Sequence, residues 1–158
     1  MIQGFENVRD IFSIFHDGSI VEWKQKGSDI ELIVEIQYLA ERVCKSYDRF
    51  SVVLHNIKEI SFETWPHTKE VSPWVISDIH EIFKPELEIL SAETEEGLHK
   101  IICNQHSTEF EYCGGNLKFS CVEAEVKDQG GKEYSIEELD KICNEYWEAW
   151  AKGNENKA

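Results

Sequence analysis

Basic residues are scarce in this chain. Sixteen Lys and Arg stand against 31 Asp and Glu over 158 residues, a formal net charge of −15. A protein that coats DNA or RNA displaces counterions with a basic field, and this chain carries the opposite one. A nucleic-acid partner is therefore not expected. Nor is a membrane surface, which calls for Lys and Arg on an amphipathic face. Long apolar runs are missing as well. The longest, such as Val52–Leu54 and Ile101–Cys103, hold three residues, against about 20 for a bilayer-spanning helix. The opening Met1-Ile2-Gln3-Gly4-Phe5-Glu6 lacks a basic stretch followed by an apolar one, so no signal peptide is expected. Cys44, Cys103, Cys113, Cys121 and Cys143 form no C-x-x-C pair, and their odd number and long spacings do not suit a secreted disulfide scaffold. A reducing cytoplasm is the expected compartment. Nucleophile-elbow, P-loop and dinucleotide motifs are all absent from the sequence.

What is present is enough apolar surface for a core. Hydrophobic residues make up 41% and aromatics 11% of the chain, too many for a disordered acidic tail. A chain of about 150 residues buries roughly 68–70% of its unfolded surface, so it needs no metal or disulfide staple. One domain over residues 1–153 is expected, with 154–158 as a frayed tail.

Periodicity places the elements. Val8, Ile11, Phe12 and Phe15 have the spacing of a short amphipathic helix. Asp17-Gly18 reads as a turn into a first strand with Val21 and Trp23. Ile30, Leu32, Val34, Ile36 and Tyr38 share one parity against Glu31, Glu35 and Gln37, the pattern of a half-buried strand, and the short Lys26–Asp29 turn makes a hairpin. Phe50, Val52 and Leu54 continue the alternation, followed by Ile60 and Phe62. Trp65 to Trp74 reads as a loop. Val75 to Phe83 fits helix or strand. Leu87 and Ile89, then Leu98 to Cys103, then Phe110 and Tyr112 before Gly114-Gly115, read as further strands.

In the last strand, Leu117, Phe119 and Cys121 are odd, whereas Val122, Ala124 and Val126 are even. A regular strand cannot change parity without turning its apolar set outward, so the chain either bends near Cys121-Val122 or is buried on both faces there. Ser135 and Glu138 form a capping box for a C-terminal helix faced by Ile136, Leu139, Ile142, Cys143, Tyr146 and Trp150, with Gly153 as its stop. The expected class is α+β: an antiparallel sheet of about seven strands, a short N-terminal helix, and a C-terminal amphipathic helix packed on one face.

No cofactor is implied. His99, Cys103, Cys113 and Cys121 could be counted as a zinc set. On a regular strand, however, His99 and Cys103 would stand roughly 13 Å apart, too far to share one ion, and no metal site is expected. His16 and Asp17 are an exposed acid–base pair on one reading and turn residues on another. With His55 they form the only cleft an enzyme or ligand-binding reading could use. The carboxylates are more suggestive. Residues 1–80 hold 13 acids and 8 bases, and residues 81–158 hold 18 and 8. Glu86, Glu88, Glu93, Glu95 and Glu96 lie in one stretch with no base among them. Such a run is either a solvated face or a docking surface for a basic partner. Trp65 and Trp74, flanking the neighbouring loop, suit aromatic anchors.

The run Phe15-His16-Asp17-Gly18-Ser19-Ile20-Val21, the hairpin after it and the late Leu117-Lys118-Phe119-Ser120-Cys121 strand resemble small bacterial immunity-protein families encoded near polymorphic toxins. The resemblance implies a cytoplasmic, acidic, single-domain protein that binds and blocks a toxin, and no catalytic residues carry over. The expectation is thus a non-enzymatic binding protein with Glu86, Glu88, Glu93, Glu95, Glu96, Trp65 and Trp74 facing a basic partner. The alternatives are a small enzyme or ligand-binding module built on His16, Asp17 and His55, and a structural subunit that forms a homodimer through its loop tryptophans.

Overall fold

Ile30, Leu32 and Val34 set the pattern on which the chain folds. Each is at most 1% exposed, while the residues between them reach the other face. In the computed structural model, which describes residues 1–155, eleven strands form one open sheet. They are β1 (Ile2–Gln3), β2 (Ser19–Lys26), β3 (Asp29–Glu35), β4 (Arg49–Leu54), β5 (Lys58–Pro66), β6 (Val75–Ile76), β7 (Leu87–Glu95), β8 (Leu98–Asn104), β9 (Tyr112–Ser120), β10 (Glu123–Lys127) and β11 (Glu133–Tyr134). The helices are α1 (Phe5–Ile14), α2 (Gln37–Ala40), α3 (Ile79–Ile82) and α4 (Ile136–Glu155). The α+β class and the antiparallel sheet agree with expectation. The strand count of about seven does not: β1, β6 and β11 have two residues each, too few to display a period.

The order is β1-β10-β4-β3-β2-β7-β8-β9-β5-β6, with β11 on β10. It divides into two limbs, β2 to β1 and β7 to β6, joined by the short β2–β7 ladder of Ser19 with Glu88 and Ile20 with Leu87 and by the bonds of Asp17 and Gly18 to Ile89. The chain itself crosses between limbs twice, from β4 to β5 and from β9 to β10. The second crossing is the parity change at Cys121-Val122: Cys121 is 2% exposed and Val122 59%. The Cys121 thiol donates to the carbonyls of His55 and Glu123 at 3.3 and 3.2 Å, and the His55 N–H donates to Glu123 at 2.9 Å. These bonds tie the two crossings into one corner.

Helix α1 covers the inner face and binds both limbs. Phe12 meets Phe119 of β9 at 5.7 Å, and Phe15, at the helix C-cap, stacks on Phe50 of β4 at 5.2 Å. All four rings are buried, each contributing roughly 2–3 kcal/mol by burial. Because α1 holds this face, the C-terminal helix α4 lies mainly against α1 and α2, with Leu139 reaching the core. Its capping box forms, with Ser135 and Glu138 exchanging two bonds of 3.1 Å. Gly153 does not end it. The helix continues to Glu155; the rest of the expected tail, residues 156–158, lies outside the described residues.

Three further boundaries moved. β3 stops at Glu35, Ile36 is the N-cap of α2, and Tyr38 lies in that helix. Val75 to Phe83 splits into β6 and α3, the latter capped by Asp78 accepting from the His80 N–H at 2.9 Å. Gly114-Gly115 is no break: it lies inside β9, where a Cβ on Gly115 would come within 2.2 Å of the Glu63 carbonyl oxygen. These glycines allow β5 to approach rather than the chain to turn.

Candidate functional site

The five glutamates fall into two settings. Glu88 pairs with Asn104 and Glu93 with Lys100. Asn104 and Lys100 are four apart on β8 and so share a face. The register slip between Ile89 and Ser91 therefore brings Glu88, Glu93 and Glu95 to one outer face although their parities differ. Glu86 precedes the strand, exposed. Glu96 is in the β7–β8 turn with φ 51°, beside Gly97 with φ 79°, a two-residue hairpin of the kind that needs positive φ twice.

The far half of β7 is neutralised across strands. Lys100 Nζ lies 2.7 Å from Glu95 and 3.9 Å from Glu93, and Lys118 Nζ lies 3.7 Å from Glu95 and 3.9 Å from Glu63. These ammonium groups hold the Glu95 carboxyl below the usual carboxylate range. The near half has no such cover. Glu88 accepts from Asn104 Nδ2 at 3.2 Å and lies 3.3 Å from His106 Nε2. With Glu86, Ser19, Gln105, His106 and Ser107 it lines a cleft of about 170 Å3.

Ser19 is also a wall of a second cleft, about 490 Å3, lined by Asp17, Glu35, Ile36, Gln37, Tyr38 and Glu41. Asp17 reaches this place because its N–H donates to the Ile89 carbonyl at 2.7 Å with φ 69°, a left-handed conformation that Asp tolerates better than most residues. The carboxylates of the docking reading and the His16-Asp17 pair of the cleft reading thus stand on either side of one serine. Of these carboxylates, Glu35 is answered by Arg49, 3.4 Å away, which also lies 2.8 Å from Asp48.

His16 and Asp17 are neighbours (4.0 Å between Nε2 and Oδ2), but His55 is not with them. His55 sits beside Asp29, at the opposite end of β3 from Glu35, about 20 Å away at 3.3 Å per residue. Its ring lies between Asp29 (3.2 Å) and Glu125 (3.6 Å). Asn56 N–H and His55 draw the Asp29 carboxyl down. The three-residue cleft does not assemble. His16 Nδ1 is spent on the Ser13 carbonyl at 2.9 Å, and its ring stacks on Trp147.

The loop tryptophans do not share a surface. Trp65 alternates with Thr64, which is fully buried, and so belongs to the outer face, where it covers Gly114. Trp74 is hydrogen-bonded to Thr64 at 3.1 Å and rests edge-on against buried Tyr112 at 5.7 Å, joining the core side. Sequence reasoning missed the aromatic cluster that does form near the clefts. Tyr38 Oη donates to the His16 carbonyl at 2.7 Å, and its ring meets Tyr146 at 4.5 Å and Trp147 at 6.1 Å. Burial raises the Tyr38 phenol, with Cys143 and Asp17 adding to the effect. Trp150, expected in the core, is 53% exposed. The signal was available: Tyr146, Trp147 and Trp150 lie on one side of a helix at i, i+1 and i+4.

Elsewhere, burial pushes the Cys103 thiol up to about 12 and raises those of Cys121 and Cys143. His99 stacks on Phe5 at 3.8 Å and lies 2.8 Å from the Cys121 carbonyl through Nε2. Among the described residues, no three His, Cys, Asp or Glu stand where they could hold one metal ion, and no helix is long and apolar enough to cross a membrane. Comparison of the chain with protein-family models, curated proteins and solved structures found no match.

Proposed function

We propose that this chain is a non-enzymatic protein-binding domain that captures a basic partner, an immunity-type inhibitor of a cationic toxin such as a nuclease. The observation that carries the reading is the gathering of Asp17, Glu35, Glu41, Glu86 and Glu88 around Ser19, from three separate stretches of chain, with Arg49 as the cation that answers Glu35. On a nuclease, such carboxylates would take the positions of substrate phosphates and block the active site by charge and bulk. A negative field also speeds encounter with a cationic partner. Glu93, Glu95 and Glu96 are left in a supporting role, since Lys100 and Lys118 answer the first two.

The expected genomic setting is a toxin-like reading frame beside this gene. Co-expression with that product tests the reading. The wild-type chain should restore host growth, and the Glu41→Lys, Glu86→Lys, Glu88→Lys triple variant, folded by circular dichroism, should not. Full rescue by the triple variant would sink the electrostatic account.

A further inference from the structure

Helix α4 carries an aromatic row that runs from half-buried Tyr146 and Trp147 to an exposed Trp150. Trp150 is 53% exposed and meets Trp147 edge to face at 5.8 Å. Trp147 lies flat against the His16 ring, 5.5 Å away at 13°, and stands edge-on to Tyr38. Tyr38 in turn walls the cleft whose polar side is Asp17, Glu35 and Glu41. One surface therefore runs from an exposed indole to three carboxylates.

We propose that this surface docks an arginine-bearing segment of the basic partner, with a guanidinium in the cleft between the Tyr38 ring and the carboxylates of Asp17, Glu35 and Glu41, and the adjoining residues on Trp147 and Trp150. The proposal rests on the reading of the chain as a binder of basic protein. It adds which residue type is recognised and where. Carboxylates alone accept lysine as readily as arginine. An aromatic wall beside them does not treat the two alike, because a planar guanidinium can lie on the ring and fork to a carboxylate at once, whereas an ammonium is a compact, strongly hydrated point charge.

The aromatic wall and the backbone that carries Asp17 are held in advance. Tyr38 is fixed by its bond to the His16 carbonyl at 2.7 Å, and the Asp17 backbone by its bond to Ile89 at 2.7 Å. Less ordering entropy is then lost on docking. Arg49 is already shared among Glu35, Asp48 and Glu22. Arg42 and Lys45 line a neighbouring cleft with Glu41, so the basic segment enters from the Asp17 and Tyr38 side. A second copy of this chain is a poor occupant. Each copy carries −15, and like charges brought face to face oppose the contact.

The test uses the full chain and two dye-labelled probes, octa-arginine and octa-lysine, followed by fluorescence anisotropy at low salt. Octa-arginine is expected to bind about tenfold more tightly than octa-lysine. Tyr38→Leu should abolish that preference and leave a salt-sensitive residue of binding common to both peptides. Since Tyr38 is half-buried, Trp150→Ala serves as a second variant at an exposed position, and should reduce the preference without altering the circular dichroism. Equal binding of the two peptides, or a preference unchanged in both variants, overturns this docking site and leaves the acidic-surface reading standing. Failure of either peptide to bind overturns both. A concentration-dependent dimer that Trp150→Ala dissolves also overturns the proposal, because a second copy would then cover the face.

Discussion

The two halves of β7 present the same residue type to the same face and finish in opposite electrostatic settings. Glu93 and Glu95 meet Lys100 and Lys118, which arrive from β8 and β9. Glu88 meets Asn104 and His106 on one side, with Glu86 just before the strand in the same cleft, and across Ser19 lie further carboxylates. Acid density along the chain is therefore not acid density on the surface. In a sheet the neighbours that matter are cross-strand ones, and they come from segments that composition windows never place together.

The compensated end depends on a close approach, and breaking it should have the largest effect. Lys118 reaches Glu63 because β5 and β9 pair through Gly114 and Gly115. A Cβ at Gly115 would lie 2.2 Å from the Glu63 carbonyl oxygen, which is backbone, and 2.6 Å from the fully buried Phe62 ring, so neither can give way cheaply. Gly115→Ala is expected to cost about 3 kcal/mol, read from urea unfolding with the slope unchanged. A cost under about 0.5 kcal/mol, the range of neutral surface changes, would mean that the strands can part freely there.

A smaller effect separates the ends by pH. His99 lies on the inner face of β8, next to Lys100 in sequence. Burial lowers its pKa, and its Nδ1 has no partner. The unfolded chain thus takes up a proton at a pH where the folded chain does not, so stability should fall as pH drops below the unfolded histidine value of about 6.5 and until the lowered folded value is passed. Glu95 behaves oppositely in origin: its folded pKa is lowered by Lys100 and Lys118, so its contribution is present above the unfolded carboxylate value and lost as pH falls through the lower folded one. His99→Gln should flatten the first slope, measured as urea midpoints between pH 7.5 and 5.5, and leave the acid limb in place. An unchanged slope would assign that dependence to another histidine.

Much of the scaffold was legible, and the reasons differ by element. The Ile30–Val34 alternation, the two-residue Gly27-Ser28 turn and the Ser135–Glu138 box are local, so each announces itself within a few residues. The parity change at Cys121-Val122 was legible for the same reason, and it turned out to mark the corner between the limbs. The site was less legible. The slip between Ile89 and Ser91 reverses the parity that the glutamates seemed to have, and no residue in that stretch advertises it. Gly114-Gly115 looks like a break because glycine both permits turns and permits close approach, and only the partner strand decides between them. His16 and Asp17 adjoin in sequence and in space, whereas His55 is set beside Asp29 by the β3–β4 pairing, which the spacing of the residues does not reveal. Trp74 was grouped with Trp65 because they flank one loop, yet neighbouring parities send them to opposite faces.

The mildest intervention sharpens the comparison by making the two ends alike. Lys100 and Lys118 have side chains only 21% and 20% exposed, so their stems pack on the sheet while their ammonium groups meet the carboxylates. Lys100→Met with Lys118→Met keeps most of that packing and leaves Glu63, Glu93 and Glu95 unanswered. Surface ion pairs contribute little to folding, so the melting temperature should fall slightly, and less as salt rises. Binding should change more visibly. The octa-lysine peptide, drawn mainly to the Ser19 end in the wild type, should gain a second site of comparable strength on the far half of β7, seen as a higher stoichiometry in calorimetry. That gain should fade well before 1 M salt, where the screening length drops to about 3 Å. A double variant with unchanged stoichiometry would show that uncompensated carboxylates on a flat strand do not suffice, and that the clefts beside Ser19, with Tyr38 as a wall, supply what the charges alone lack.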